Sequence, residues 1–585
     1  MLPTFVTGIG AMNRTRSSLH RLVGSELRAP DTDRHSSGRK WADFTALLSI
    51  IVAAAVLSFV GLSNNGFWDD EANTALFARN WLRTGTLTAF DGVNVIGFRQ
   101  GAELNSSLQN VYMPPVQYYV AALGLKLAGS TTFGGRLPFV VAGLLAILLL
   151  AYFVKWHLES EVPAWVPVAL LAFNPAYLLF IRQCRYYSIV VVLTLAVLAA
   201  LAYRKHTTLG KLGSAVIAAL AAGALMLTNY LDAVALAAIL PLFFLLRRYR
   251  TLSNVLLASA AIAAFMATGL YILRTSNPLA VAVSYKDTVT GFQRLGRLYY
   301  WHITGLARFE FFPIAGPVLA LGLLSCVRQV RVLRLVRESF LLCLLMAVYS
   351  VAIVIFSPQT VTNVTSLADI RYVVALIPIG AVATACALCA AWHMSPMSGP
   401  VLAIVTGAMV LGTNAFTSAA GWAPLRSTLY EYVKENTHDY VTGNEAISAF
   451  LSKLQKSYVI RVIPDFMTYP AMFYVPKQHY CCQLSDEFAS KNKVPFRLPD
   501  YVFSNRLLPD YLLVGADIDP PQLLAQCAMA FGAGRYHILA EVGSDYRDNS
   551  RPEIPWHSFG PPSDKKRGFL VLEKTSVNFP QNQRH

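Results

Sequence analysis

Apolar runs recur along this chain at lengths that only lipid favours. LLSIIVAAAVLSFVGL at 47–62 and LPFVVAGLLAILLLAYFV at 137–154 approach or reach the roughly 18–20 apolar residues that carry a helix across a bilayer. Twelve candidates follow one another, at about 42–63, 114–129, 137–154, 163–180, 186–203, 212–228, 231–246, 254–273, 313–327, 339–356, 371–391 and 400–418. A backbone in hydrocarbon must satisfy its own hydrogen bonds, so these runs imply an α-helical polytopic membrane protein. Composition agrees, with 55% of residues hydrophobic and 14% charged, where a soluble protein carries about a quarter charged. The first run follows a polar basic tail and lacks a small-residue cleavage site, so it reads as an uncleaved first span and not a signal peptide.

The formal net charge of +16 acquires meaning from its placement. Arg14, Arg16, Arg21, Arg28, Arg34, Arg39 and Lys40 precede the first run, and later clusters occupy short loops at 204–211, 247–250 and 328–337. That is the positive-inside pattern of cytoplasmic loops. If all twelve runs crossed from a cytoplasmic N-terminus, the 204–211 and 247–250 loops would fall outside, against their charge. The run at 114–129 is short, opens with Pro114-Pro115 and carries Lys126. Read as a re-entrant or interfacial element, it leaves about 11 crossings and every basic loop inside. Residues 64–136, 181–185, 229–230, 274–312 and 357–370, with the tail from about 420, then lie outside a plasma (inner) membrane. No basic patch interleaved with base-stacking aromatics occurs on a soluble segment, so membrane lipids and not nucleic acid are the expected partners.

Three regions follow: a basic cytoplasmic tail at 1–41, a transmembrane region at 42–419 with a chemistry-bearing outer loop at 64–113, and a soluble mixed α/β domain at 420–585 on the periplasmic or extracellular side. In the last, DYLLVGADI and RYHILAEV read as buried strands and STLYEYVKENTHDYV as a helix. Of the eight cysteines, Cys184, Cys326, Cys343, Cys386 and Cys389 lie in or beside apolar runs and read as packing residues. Cys481, Cys482 and Cys527 lie in the tail, where a disulfide from Cys527 to one of the vicinal pair is open.

The outer loop begins NNGFWDDEANTALFARNWLRTGTL. Adjacent carboxylates at Asp69, Asp70 and Glu71, behind Phe67 and Trp68, repel one another and are partly desolvated, which suits one of them to act as a base. The same residues also suit a structural role, because 71–82 has helical spacing and Asp69 or Asp70 is placed to N-cap it. No His/Cys/Asp/Glu set has zinc spacing, and no Gly-rich phosphate loop argues for nucleotide-sugar or ATP use. A divalent cation held by the three carboxylates stays open, without a commitment to any metal.

Several stretches together resemble a known family. Trp68 with Asp70-Glu71-Ala72, then MPPVQYY at 113–119, then RLPFVVAGLLAILLLAYFV at 136–154, are similar to the GT-C membrane glycosyltransferases of the dolichyl-phosphate-mannose-protein mannosyltransferase and aminoarabinose transferase-like superfamily. FNPAYLLFIRQCRYYS (173–188), TNYLDA (228–233) and IRYVVALIPI (370–379) continue the match in the same order. The resemblance covers roughly 45–390 and implies a polyprenyl-phosphate sugar donor, an acceptor hydroxyl on a glycan, lipid or protein, and inversion at the anomeric carbon. It also implies that the first Asp of the Asp-Glu pair is the general base, which maps onto Asp70, with Asp69 as the alternative one position away and Glu71 beside it.

A carboxylate must take the acceptor proton and cations must hold the leaving phosphate. For the phosphate, Arg182 and Arg185 sit in one short outer loop, and Arg371 with Tyr372 begins a later helix. Tyr118, Tyr186, Tyr187 and His302 are candidate substrate contacts, although interfacial aromatics would look the same. Aminoarabinose transferases carry Glu-Lys before the double proline; Tyr112 and Met113 stand there in this chain, which favours neutral sugars on a cell-envelope acceptor such as lipopolysaccharide or cell-wall glycan. Two other readings stand beside transfer: a transporter or flippase of lipid-linked sugars, for which Asp232 near the outer end of a run is the only suggestive carboxylate, and a membrane scaffold for envelope assembly.

Overall fold

The structure, a computed structural model, describes residues 32–158, 161–203, 207–245, 249–275, 319–320, 322–323, 330–356, 370–413, 426–438, 440–492, 494, 497–504, 506–515, 519–543 and 568–575. The chain divides into two compact units, 1–49 and 50–585. The described part of the first unit is the opening of helix α1 (Thr32–Phe59), where Thr45 Oγ1 donates to the carbonyl of Trp41 at 2.8 Å.

The second unit is mostly helical. It continues through α2 (Asp69–Thr84), α3 (Val116–Ala128), α4 (Thr132–His157), α5 (Trp165–Ala172), α6 (Pro175–Ile181), α7 (Tyr187–Ala202), α8 (Thr208–Met226), α9 (Tyr230–Ile239), α10 (Leu252–Thr275), α11 (Val330–Phe356), α12 (Leu376–Met394) and α13 (Ser398–Gly412). Among the described residues, six helices are long and apolar enough to cross a membrane, and three shorter apolar ones lie at Tyr187–Ala202, Tyr230–Leu245 and Ser398–Gly412. This is a multi-pass membrane protein. Side-chain caps mark several starts: Thr131 Oγ1 accepts from Gly134 N at 3.0 Å before α4, and Asn229 Oδ1 accepts from Leu231 N at 2.9 Å before α9.

Two runs differ from a simple crossing. The run at 163–180 is split into α5 and α6, because Asn174 caps the second helix by accepting from Tyr177 N at 2.8 Å and Pro175 cannot donate to a continuing ladder. The run at 114–129 forms a helix of 13 residues, about 20 Å long at 1.5 Å per residue, against a hydrocarbon thickness of about 30 Å. It packs closely on α4, where a Cβ at Gly124 would lie 2.2 Å from the carbonyl oxygen of Gly134. The run at 313–327 lies almost wholly outside the described residues.

The C-terminal region adds α14 (Thr428–Thr437), α15 (Gly443–Lys453), α16 (Thr468–Tyr474), α17 (Asp486–Asn492), α18 (Pro520–Phe531) and a five-stranded mixed sheet. The strands are β1 (Val459–Ile463), β2 (His479–Tyr480), β3 (Tyr511–Gly515), β4 (Tyr536–Val542) and β5 (Phe569–Lys574), in the order β2-β1-β3-β5-β4. β1 runs parallel to β2 and β3; β5 runs antiparallel to β3 and β4. STLYEYVKENTHDYV forms α14 as its pattern predicts, and DYLLVGADI forms the fully flanked strand β3. RYHILAEV forms β4, which is not buried throughout: it lies at the sheet edge, where every second residue is exposed.

Alternation along the strands gives the sheet two apolar faces. Leu512, Val514, Leu570 and Leu572 pack with Leu523 and Cys527 of α18. Ile460, Val462, Leu513 and Val571 face the other way and share one core with Ala72 and Leu76 of α2, Val95 and Leu104 of the outer loop, and Tyr118 of α3. Polar ties reinforce the join. Arg79 Nη1 donates to the carbonyl of Phe473 at 2.8 Å, Asn94 Nδ2 to that of Gln478 at 2.9 Å, and Phe67 N to the hydroxyl of Tyr474 at 2.8 Å. The loop that follows α1 is therefore held between the helical bundle and the C-terminal sheet.

Candidate active site

Trp68 occupies the N-cap of α2 in extended backbone. The expectation that Asp69 or Asp70 caps this helix is corrected: both sit inside the first turn, where the positive end of the helix dipole favours carboxylates. Glu71, at the third position, is the one that reaches back, accepting from Trp68 N at 3.4 Å. At 3.6 residues per turn the three carboxylates point about 100° apart, and their surroundings diverge accordingly.

Glu71 points into the bundle and is fully buried. Arg136 grips it bidentately, Nε to Oε1 at 2.8 Å and Nη2 to Oε2 at 2.7 Å. Cys184 N adds a third short bond to Oε1, at 2.7 Å. Arg136 Nη1 donates in turn to the carbonyls of Leu62, Asn64 and Asn65 at 3.1, 3.0 and 3.0 Å. One ion pair thus ties α2 to the start of α4, to the turn after α1 and to the loop at 182–186.

Asp70 keeps a quarter of its side chain exposed and lies between two guanidiniums. Arg371 Nη1 meets Oδ2 at 2.5 Å, and Arg185 Nη2 stands 3.6 Å from Oδ1. Arg185 Nη1 also donates to Thr74 Oγ1 at 3.1 Å. Burial is the largest influence on Arg185 and opposes its charge, but the Asp70 carboxylate together with Tyr187, Tyr186 and Tyr118 outweighs it and holds the guanidinium above its ordinary value. Each arginine lies against an aromatic ring, Arg185 at 5.5 Å from Tyr186 and Arg371 at 5.5 Å from Tyr372. Asp70, Arg185, Arg371 and Tyr372, far apart in the chain, are therefore brought together.

Arg182 goes elsewhere, although it is three residues from Arg185. Its Nη1 donates to the carbonyls of Ser58 and Val60 at 3.0 and 2.6 Å and its Nη2 to that of Gly61 at 2.8 Å. These are the orphan acceptors at the C-terminus of α1, which a guanidinium suits by charge and by geometry. Tyr432 covers the same guanidinium at 5.8 Å and donates to Leu57 O at 2.9 Å.

Tyr186 and Tyr187 are buried with ring centroids 4.7 Å apart, edge to face. The buried Tyr118 hydroxyl has no hydrogen-bond partner among the described residues, and its ring lies 5.1 Å from that of Phe77. His302 lies outside the described residues. Among the described residues, no group of three or more His, Cys, Asp or Glu side chains converges as a metal site.

Three participants escape the sequence reading. Thr74, one turn after Asp70, was legible from its spacing. Glu103 of the outer loop and Tyr469 of α16 carried no local signal. Burial pushes the Tyr469 hydroxyl well up, and the nearby Glu103, Asp69 and Asp70 carboxylates push it the same way. These acids therefore share one electrostatic neighbourhood.

This mostly helical fold with a small mixed C-terminal sheet is GT-C-like. Residues 113–272 match the family model described as dolichyl-phosphate-mannose-protein mannosyltransferase. ArnT from Cupriavidus metallidurans bound to undecaprenyl phosphate is similar in structure, with a TM-score of 0.53 at 16% identity over 90% of this chain and 98% of that one. The same ArnT in the apo state gives 0.50 at 14% identity over 92% and 98%. The Archaeoglobus fulgidus oligosaccharyltransferase in complex with zinc and sulfate gives 0.46 at 13% identity over 83% and 70%. No curated protein sequence matches this chain. The resemblance read from the motifs is borne out at the level of fold.

Proposed function

We propose that this protein is an inverting glycosyltransferase that moves a monosaccharide from a polyprenyl-phosphate carrier to a hydroxyl of a cell-envelope acceptor. The acceptor is lipopolysaccharide, a cell-wall glycan or a protein, and the reaction takes place at the outer face of a plasma membrane. The chain makes about 11 crossings from a cytoplasmic N-terminus, α3 is the interfacial element, and residues 420–585 form an outer domain. The observation that carries this reading is the Asp70 carboxylate between Arg371, at 2.5 Å, and Arg185, at 3.6 Å, on an outer-loop helix. The fold shared with a protein solved on undecaprenyl phosphate supports a lipid-phosphate donor.

Asp70 takes the proton of the acceptor hydroxyl as its oxygen bonds to the anomeric carbon. The bond from that carbon to the carrier phosphate breaks, its electron pair passes to the phosphate, and Arg185 and Arg371 hold the charge that develops. Inversion follows because the acceptor enters opposite the leaving phosphate. Without donor, Asp70 is the counter-ion of both arginines. A donor phosphate competes for the same N–H groups and presents more oxygens to them, so its arrival draws the guanidiniums away and releases the base. Arg182 and Glu71 have no part in the chemistry in this scheme, since their polar atoms are consumed by α1 and by Arg136. Asp69 remains the base only if the register shifts by one position.

The test is transfer of label from a polyprenyl-phosphate sugar pool into envelope fractions, comparing wild type with Asp70→Asn. A fall of about 10²–10⁴-fold is expected with expression and thermal behaviour retained. Unchanged transfer in a well-expressed Asp70→Asn protein refutes the base assignment. Movement of labelled lipid across vesicles with no transferred product identifies a flippase instead.

A further inference from the structure

β2 is the short edge strand of the sheet, and the chain turns immediately after it through Cys481 and Cys482. In extended backbone, adjacent side chains leave on opposite faces and neighbouring thiols diverge. Cys482 breaks that alternation with a left-handed φ of 65°, and the two Sγ atoms face one another at 3.5 Å. Both side chains are buried, at 3% and 5% exposure.

The turn is pinned on both sides. Cys481 N donates to Ile460 O at 3.0 Å, Gln483 N to Val502 O at 2.9 Å, and Gln483 Nε2 back to Cys481 O at 3.2 Å. It also borders the first outer loop, where Gly97 N donates to Gln483 Oε1 at 3.2 Å and Ser485 N to Gln100 O at 3.2 Å. The neighbouring Cys481 thiol holds Cys482 below the ordinary thiol value, and Arg461 acts in the same direction. Cys481 is correspondingly pushed up by Cys482 and by burial. The pair is thus one nucleophilic sulfur with a second thiol beside it.

We propose that Cys481 and Cys482 are a redox-active dithiol that closes to a vicinal disulfide by exchange with a disulfide oxidant. The Cys482 thiolate attacks one sulfur of the oxidant, whose S–S bond breaks and releases one thiolate. Cys481 gives its proton to solvent and its sulfur attacks Cys482 Sγ, releasing the second thiolate. The protein loses two electrons and two protons, and the oxidant becomes two thiols. Closure moves the sulfurs from 3.5 Å to about 2.05 Å within one turn, and the sheet edge does not have to part. Cys527 takes no part; it packs with Leu512, Leu523 and Tyr536 in the core on the other face of the sheet. This inference stands independently of the sugar-transfer reading.

The experiment equilibrates the full-length detergent-solubilised protein against reduced and oxidised dithiothreitol mixtures, quenches with acid, alkylates, and maps peptides by mass spectrometry. The expected result is a cooperative loss of two alkylations from the single peptide holding residues 481 and 482, with a mass 2 Da below the dithiol. Cys527→Ser shows the same loss, whereas Cys481→Ser and Cys482→Ser each keep their remaining thiol alkylated. Full alkylation of both thiols across the whole oxidising range, or recovery of either one linked to Cys527, overturns the proposal.

Discussion

Glu71→Gln exchanges one oxygen for an amide nitrogen and removes one charge at a carboxylate surrounded by donors. Oε1 accepts from Arg136 Nε and Cys184 N, and Oε2 from Arg136 Nη2 and Trp68 N. Whichever way the amide is turned, its NH₂ faces two N–H groups, and the buried guanidinium loses its counter-charge. Removing one partner from a buried pair of this kind costs about 3–5 kcal/mol. Large membrane proteins unfold irreversibly, so the quantity to measure is the inactivation half-life in detergent at fixed temperature. If the pair is already broken in the unfolding transition state, that cost shortens the half-life by about 10²- to 10⁴-fold. Arg136→Met removes the charge from the other side, and the double variant is expected to lose about 1–3 kcal/mol less than the sum of the single ones. A Glu71→Gln protein as durable as wild type but inactive in transfer refutes this reasoning and returns Glu71 to the chemistry.

Arg182 and Arg371, both expected from the sequence to meet the donor phosphate, should behave differently. Arg182→Leu shortens the inactivation half-life and leaves the donor KM of the surviving enzyme near wild type, whereas Arg371→Leu lowers kcat/KM for the donor at least tenfold with half-life retained; donor titrations beside the stability assay separate the two. Asp465, two residues past the end of β1, has a carboxyl raised above its ordinary value by desolvation, with Arg461 opposing. A raised acid costs stability when ionised, a cost complete above the folded value and absent below the unfolded value near 4. Asp465→Asn is therefore expected to lengthen the half-life at neutral pH, with the gain shrinking as pH falls toward 4; an equal gain at both ends rules out the titration as its source.

Part of this molecule was legible because membrane and helix periods are written locally. Long apolar runs declare spans, and Pro114-Pro115 with Lys126 set apart the run that forms the 13-residue α3. The break at Asn174-Pro175 was equally present as a cap followed by a proline, but the apolar residues around it masked it. Asp70, Arg185 and Arg371 were reached through motifs that occur in order. What no motif carries is direction. Arg182 and Arg185 occupy one loop, and only the position of the α1 carbonyls on one side and Asp70 on the other separates a helix cap from a partner of Asp70.

The same holds for Asp70 and Glu71, which stand side by side in sequence and about 100° apart on the helix. The buried direction meets Arg136, whose three further bonds to the carbonyls at 62, 64 and 65 fix it in place. The partly exposed direction meets Arg371 at 2.5 Å and Arg185 at 3.6 Å. A carboxylate fully enclosed by donors cannot receive a substrate proton without dismantling its surroundings. In the proposed mechanism, one held by two guanidiniums exchanges them for a phosphate. The enclosed pair pins α2 at its first turn to α4 and to the loop that carries Arg185, and so holds Asp70 in place. Glu103 and Tyr469 complete that neighbourhood from segments that only the shared core of the outer loop and the C-terminal sheet brings together. The tail therefore helps to position the segment that carries Asp70, and sequence alone gives no sign of it because the contacts that matter join residues more than 350 positions apart.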